Sequence, residues 1–378
     1  MLKKKPIAID LFCGAGGMSL GFEQAGFHVH SAFDCERFNI LTHERNFPRT
    51  RAYVADLSKL SGKCVREISR LGRRRIDVIF GGPPCQGFSV GGKRDLNDKR
   101  NRLVYDFARL VKQLQPRYFV MENVKGLMYV HAKPVLKSFI RRMKLAGYVV
   151  VEPIQVLNAS DFGVPQRRLR TFVIGCQKGL PLPSYPTRSG CFDESGQEFF
   201  PLVKDAISDL PRIDSYPDLF SSDHFPHKLP STTNTYALLM RGELVSYDDQ
   251  LHREIESMTG LTGCLRTAHS KRIIKRFAST ARGSAEPVSR YIRLAWDKVA
   301  PTIRAGTGAD HGSHTAPRPI HPSRPRCITT REAARLHSFP DWFQFHGTRW
   351  HDFRQIGNSV PPILARAVAK KIIQQLTS

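Results

Sequence analysis

The chain is short of acid. Its 378 residues carry 33 Asp+Glu against 58 Lys+Arg, a formal net charge of +25 with His neutral. A field of that sign draws polyanions, nucleic acid foremost, although an anionic membrane or an acidic protein would answer to the same charge. The chain also lacks any apolar run of the ~20 residues that cross a bilayer. Its start, Met1-Leu2-Lys3-Lys4-Lys5-Pro6, is basic but has neither the apolar core nor the small-residue cleavage site of a signal peptide. These absences predict a cytoplasmic protein without membrane partners. The eight cysteines, at 13, 35, 64, 85, 176, 191, 264 and 327, never stand at C-x-x-C spacing. That argues against a zinc or dithiol centre, and reduced, mostly buried thiols are the ordinary reading.

What is present is unevenly placed. Between Cys264 and Arg331 fourteen Lys+Arg face three acids (Glu286, Asp297, Asp310), interleaved with Phe277, Tyr291 and Trp296. This reads either as a nucleic-acid surface or as a merely basic solvated one. The first half alternates short apolar runs with helical patterns. Segments 7–12, 28–33, 52–57, 78–80, 118–121, 149–157 and 170–176 read as strands, and 19–25, 36–46, 102–113 and 134–146 as helices. Such alternation predicts an α/β fold with a parallel, doubly wound, Rossmann-like sheet, whose ligands sit beyond the carboxyl ends of the strands. After Gly179 the chain turns Pro- and Gly-rich, which predicts a smaller, loop-rich unit. Segment 317–325, with prolines at 317, 319, 322 and 325, reads as a linker or arm. Thr329 or Thr330 is placed to cap a helix over 330–338, and a last amphipathic helix runs over 361–376. The expected division is 1–180, 181–328, and 329–378 returning to complete the first domain.

Four strand ends carry chemistry-bearing residues. Asp10 to Leu20 is a strand, a glycine-rich turn and a helix start, with Ser19 where the third glycine of G-x-G-x-x-G would stand. That counts against a dinucleotide, and the turn reads as a nucleoside cradle or as an ordinary tight turn. Asp34, at the end of the next strand, could accept from ribose hydroxyls, and Asp56 from an adenine amino group. Gly81-Gly82-Pro83-Pro84-Cys85 presents a cysteine on a stiff turn, a nucleophile candidate where a lone cysteine is otherwise core. The loop after it, 90–102, is rich in glycine and basic residues, as suits a lid that closes on phosphate. Glu122, in Glu122-Asn123-Val124, is a general-acid candidate or a solvated cap. In Pro165-Gln166-Arg167-Arg168-Leu169-Arg170, alternation puts Arg168 and Arg170 on one side, to hold an anion or to charge a strand edge. His311-Gly312-Ser313-His314 lacks a third ligand at a fixed spacing and reads as a loop, so no metal is expected.

Six blocks in this order, DLFCGAGGMSLGF, GGPPCQGFS, ENV, PQRRLR, REAARLHSFPDWF and QIGNSVPP, resemble the DNA cytosine-5 methyltransferase family. The resemblance covers about residues 7–178 and 328–378. It implies an enzyme, of the prokaryotic restriction-modification type, that methylates C5 of a cytosine flipped out of double-stranded DNA within a short specific sequence. It implies Cys85 as the nucleophile on C6, Glu122 on N3 and the amino group, Arg168 on O2, and Arg170 in support of that pocket. It implies S-adenosyl-L-methionine (leaving as S-adenosyl-L-homocysteine) as cofactor. Phe12, Gly14, Ala15, Gly16 and Gly17 would hold its methionine part, Asp34 its ribose and Asp56 its adenine, with Pro84 and Leu103 lining the pocket and Asn358 and Ser359 completing it. Residues 181–328 take the place of the target-recognition domain. Arg331 would link the domains or touch phosphate. The resemblance also implies a monomer with, as a possible partner, a restriction endonuclease sharing the target site. An RNA methyltransferase and an inactive DNA-binding regulator on the same fold are the alternatives.

Overall fold

A computed structural model of the chain describes residues 5–84, 102–193, 195–246, 249–251, 260–306 and 318–377. Cys85, the basic residues of 90–101, His311 to His314 and Pro317 therefore lie outside the described residues. The chain forms two units. One comprises Met1–Asn158, Leu169–Thr187 and Ala365–Ser378, and the other Ala159–Arg168 and Arg188–Leu364.

In the first unit the elements run β1 (Ile7–Leu11), α1 (Gly17–Gln24), β2 (His28–Asp34), α2 (Arg37–Asn46), β3 (Arg51–Val54), α3 (Gly62–Ile68), β4 (Val78–Gly81), α4 (Leu103–Leu114), β5 (Tyr118–Val124), α5 (Lys133–Leu145), β6 (Tyr148–Val150), β7 (Gln155–Asn158) and β8 (Leu169–Gln177). The strands make one sheet in the order β3-β2-β1-β4-β5-β8-β6, with β7 also on β8. β1 to β5 pair in parallel. β8 meets β5, β6 and β7 antiparallel, which corrects the expectation of an all-parallel sheet. The apolar run of β8, Phe172 to Ile174, is buried on both faces like that of a parallel strand, so its composition did not reveal its direction.

Both faces of the sheet are covered, and β4 shows how. Val78, Ile79 and Phe80 are fully buried. Ile79 joins the core formed with Val104, Phe107, Leu110 and Val111 of α4 and Phe139 of α5. Phe80, pointing to the other face, stacks on Phe22 of α1 at 3.8 Å. The inward residues of α4 recur at helical spacing, which is why that helix was legible. α3 was not, because it buries only Gly62 and Val65.

The second unit has only short elements: β9 (Cys191–Phe192), β10 (Glu198–Phe199), α6 (Val203–Ile207), α7 (Thr235–Arg241), α8 (Lys271–Ser279), α9 (Thr330–Leu336) and α10 (Arg349–Asn358). α11 (Pro362–Thr377) crosses the boundary between Leu364 and Ala365. Thr329 caps α9 in a reciprocal capping box with Glu332. Two sequence readings are corrected here. Segment 318–325 is not a linker: Ile320 is fully buried and bridges both Arg293 and Cys327. Arg331 touches no solvent. Its guanidinium donates to the carbonyls of Thr262, Pro340 and Phe343, so it ties the unit together from inside and does not reach for phosphate.

Candidate active site

The strand order reverses between β2 and β4, on either side of β1, and the chemistry gathers at the carboxyl ends there. After β1 the backbone turns through left-handed conformations at Phe12 (φ 64°), Gly14 (φ 54°) and Gly16 (φ 97°) before α1 begins. Among the described residues a side chain on Gly14 would meet nothing within 4 Å. At Gly16 the neighbours are His43 and the Phe47 ring, and glycine there serves packing. Phe12 is half-buried and packs on the core.

Beneath the turn lies a buried chain that the sequence did not announce. Ser19 Oγ donates to Asp10 Oδ2 at 2.7 Å, and His43 Nε2 lies 3.0 Å from Ser19 Oγ. With the hydroxyl proton on Asp10, the His43 ring is the donor of the second bond. Burial raises the Asp10 carboxyl well above its usual range and pulls His43 down to about 3. The chain thus ties β1 through α1 to α2.

Asp34 holds the other side of the turn. Its Oδ2 accepts from the Gly14 N–H at 2.9 Å, and its Oδ1 from the Glu36 N–H and Asn39 Nδ2. Burial raises its carboxyl, and these three donors oppose the rise. A carboxylate offers about four acceptor positions, so Asp34 keeps one for a hydroxyl. Asp56 is different. It lies just beyond β3 in solvent, accepts from the Ser58 N–H and hydroxyl, and pairs with Lys59. Pro84 is exposed and Leu103, the first residue of α4, is half-buried.

Glu122 and Asn123, near the end of β5, grip the approach to Cys85. Asn123 Nδ2 donates to the Pro83 carbonyl at 3.1 Å. A side chain on Gly82 would lie 2.7 Å from Glu122 Oε2, so only glycine lets the carboxylate in. Val124 stands opposite Arg170 across the β5–β8 pair, which places Glu122 diagonally from that arginine. Arg170 Nε meets Glu122 Oε1 at 2.7 Å, with only 11% and 9% of the two side chains exposed. Burial lowers the Arg170 guanidinium from its usual range, and Glu122 opposes that. Arg170 Nη1 donates to the Leu169 carbonyl. Its Nη2 has no partner among the described residues, so a cation with donors to offer faces the carboxylate's neighbourhood.

Arg168 is occupied otherwise. Fully buried, it donates through Nη1 to the Ile303 carbonyl and through Nη2 to those of Gly357 (2.6 Å) and Ser359 (2.8 Å). Gln166, also fully buried, donates to the Leu336 carbonyl and accepts from the Ile303 N–H. The two side chains stitch three distant segments of the second unit together. Asn358 ends α10 with its side chain exposed, while Ser359 is buried and donates its hydroxyl to the Gln355 carbonyl. Among the described residues no group of three or more His, Cys, Asp or Glu could hold a metal ion, and no helix is long and apolar enough to cross a membrane.

A mainly parallel sheet with helices on both faces, a glycine-rich turn after its first strand and a buried Glu–Arg pair at a strand end define an α/β protein with its polar side chains gathered at one edge. The C-5 cytosine-specific DNA methylases match residues 7–374, and the chain belongs to that family, as a type II DNA (cytosine-5) methyltransferase. The type II methyltransferase M.XorII of Xanthomonas oryzae is 48% identical over 98% of this chain and 85% of its own length. M.AgeI of Thalassovita gelatinovora is 32% identical over 96% and 98%. A solved E. coli structure, assigned as a prophage-encoded DNA modification methyltransferase, is 33% identical and superposes with a TM-score of 0.82 over 99% of this chain and 100% of its own. The family's description gives DNA as the substrate.

Proposed function

We propose that the enzyme methylates C5 of a cytosine extruded from duplex DNA at one short sequence, through a covalent bond between Cys85 and C6. The observation that carries this reading is the Glu122–Arg170 pair held against Gly82, three residues before Cys85. N3, O2 and the amino group of a stacked, paired cytosine are taken up by guanine and out of reach of such a pair, so the base must leave the helix, at a cost of a few kcal/mol. The Cys85 thiolate forms the S–C6 bond, and the C5=C6 electrons move to C5, which becomes nucleophilic. Glu122 bonds N3 and the exocyclic amino group and supplies the proton that lets N3 take up charge. Arg170, with Nη2 donors to offer, is the better candidate for O2. Arg168, committed to backbone carbonyls, acts as a positioning residue. Once C5 carries the methyl group, loss of its proton to a base and breakage of S–C6 restore the C5=C6 bond and free the thiolate, while N3 returns its proton to Glu122.

S-adenosyl-L-methionine, when bound, supplies an electrophilic methyl group. The space at Gly14, clear of the described residues, and the remaining acceptor on Asp34 fit its amino-acid and ribose parts, with Phe12, Ala15, Gly16 and Gly17 forming the turn. Exposed Asp56, with Pro84 and Leu103, is assigned to the adenine, and the resemblance adds Asn358 and Ser359. We assign target recognition to the second unit, and the type II relatives make an endonuclease with the same target the expected partner.

The test is expression of wild type and Cys85→Ala in a bacterial host without cytosine methylation, followed by bisulfite sequencing of the plasmid. Protected cytosines in one sequence context, lost in Cys85→Ala, are expected. A folded wild type that protects none would sink the reading.

A further inference from the structure

The basic stretch from Cys264 to Arg331 is not one surface. Most of its arginines are turned to internal work. Arg276 forms a bidentate pair with Glu286, Arg326 another with Glu332, and Arg331 binds backbone carbonyls. Lys271, Arg272 and Lys275 on α8 are the contrast. All three are exposed, and none has a hydrogen bond or ion pair among the described residues.

Their arrangement is unfavourable for the helix itself. Lys271 and Lys275 are four residues apart and Arg272 and Lys275 three, so like charges adjoin on one face. They occupy the first two turns, at the positive end of the helix dipole, and no acid stands in the first turn. The helix nonetheless is firmly held. Ser270 caps its start, accepting from the Ile273 N–H. Phe277 is buried with Ile320 and Cys327. Arg293 donates to the carbonyls of Phe277, Ala278 and Thr280, closing the carboxyl end. A rigid helix with a crowded, unpaired cationic face is built to meet a polyanion.

Resting on the DNA-methylating function proposed above, we propose that Lys271, Arg272 and Lys275 form a phosphate-contact face of α8 that holds the backbone of duplex DNA without reading its sequence. Two flexible ammonium groups and a guanidinium suit phosphate oxygens, and no Asn or Gln stands on the helix to read an adenine edge.

The test uses the full chain with all three residues changed to alanine. Binding is followed by fluorescence anisotropy across a salt series, on a duplex carrying the methylated sequence and on a scrambled one. Each lost phosphate contact removes about 0.9 from the slope of log affinity against log salt, so the slope should flatten by about 2.7. Affinity should fall about a hundredfold at ~0.15 M salt on both duplexes alike, and bisulfite sequencing should find the same cytosines protected. Lys271→Glu with Arg272→Glu separates contact from folding: acids suit the first turn, so thermal stability should hold or rise while DNA affinity falls. An unchanged salt slope in the alanine variant overturns the proposal, as does a loss confined to the target-bearing duplex. If the wild type binds duplex with the expected slope and protects no cytosine, the methylation reading fails and the phosphate face stands.

Discussion

Two arginines, one from each unit, show how the same side chain is used in opposite ways. Arg335 in the second unit is fully buried, and each of its five N–H donors has an acceptor: Asp341 twice, Asp209 twice and the Ala206 carbonyl. Arg170 in the first unit is nearly as buried, yet it meets one carboxylate oxygen and one carbonyl and leaves Nη2 without a partner among the described residues. A saturated buried cation is a staple. An unsaturated one beside a carboxylate at a strand end has donors left for a ligand, with no protein acceptor to give up first. The difference predicts which arginines act on turnover and which on folding.

The sharpest way to break that comparison is at Glu122. Glu122→Gln preserves size and an acceptor for Arg170 but removes the proton that N3 needs. We expect kcat to fall by about 10²–10⁴, with the protein still folded and still binding duplex. Single-turnover methylation of a target-bearing duplex measures it. A variant with nearly normal turnover would show that the pair is merely structural.

Arg335→Ala is the converse. It leaves Asp341 with only the more distant Arg331, at 3.7 Å, and Asp209 with only Arg241, and loss of one partner from such a buried network costs up to about 3–5 kcal/mol. The chain's three tryptophans, Trp296, Trp342 and Trp350, all lie in the second unit, so their fluorescence in a denaturant titration reads that unit. A large fall in its midpoint is expected. A variant of normal stability that loses only turnover would reverse the assignment of staple and site.

The order β1 to β5, helices α1, α2 and α4 and the glycine-rich turn after β1 are legible because parallel strands buried on both faces and amphipathic helices leave strong periodic patterns. The strand-end places of Asp34 and Glu122 follow from the same pattern. What was not legible depended on pairing. Arg168 and Arg170 alternate onto one side of a strand in any reading, yet only the fold shows Arg168 taking up three carbonyls and Arg170 meeting Glu122. Arg331 looked like a surface cation for the same reason: its acceptors at 262, 340 and 343 are far off in sequence. α10 escaped because the segment Arg349–Asn358 has few apolar residues beyond Trp350, Phe353 and Ile356, and its end was read as a motif instead of a helix. Ser19 was noted only as a missing glycine, although Asp10 and His43 give it its place.

The smallest effect tests whether the second unit's buried charges are all staples. Asp352 is buried with no cation bonded to it. Its Oδ1 accepts from the Gly347 N–H at 2.9 Å and its Oδ2 from the Thr330 hydroxyl at 3.2 Å. Burial raises its carboxyl to about 7; the Gly347 donor opposes this, Asp223 adds to it, and Arg331 again opposes. A raised acid keeps in the native state a proton that the unfolded chain releases. Its effect is therefore absent below about pH 4, where both states are protonated; stability then falls as pH rises, and the full penalty stands above about pH 7. Asp352→Asn keeps an oxygen for Gly347 and an amide for the Thr330 oxygen without the charge. It should leave the tryptophan-monitored stability unchanged near pH 4 and raise it at pH 8. A gain of the same size at both pH values would mean that the carboxyl ionises alike in the folded and unfolded chain, and a loss at pH 8 would mean that the carboxylate, like those around Arg335, is held by charge.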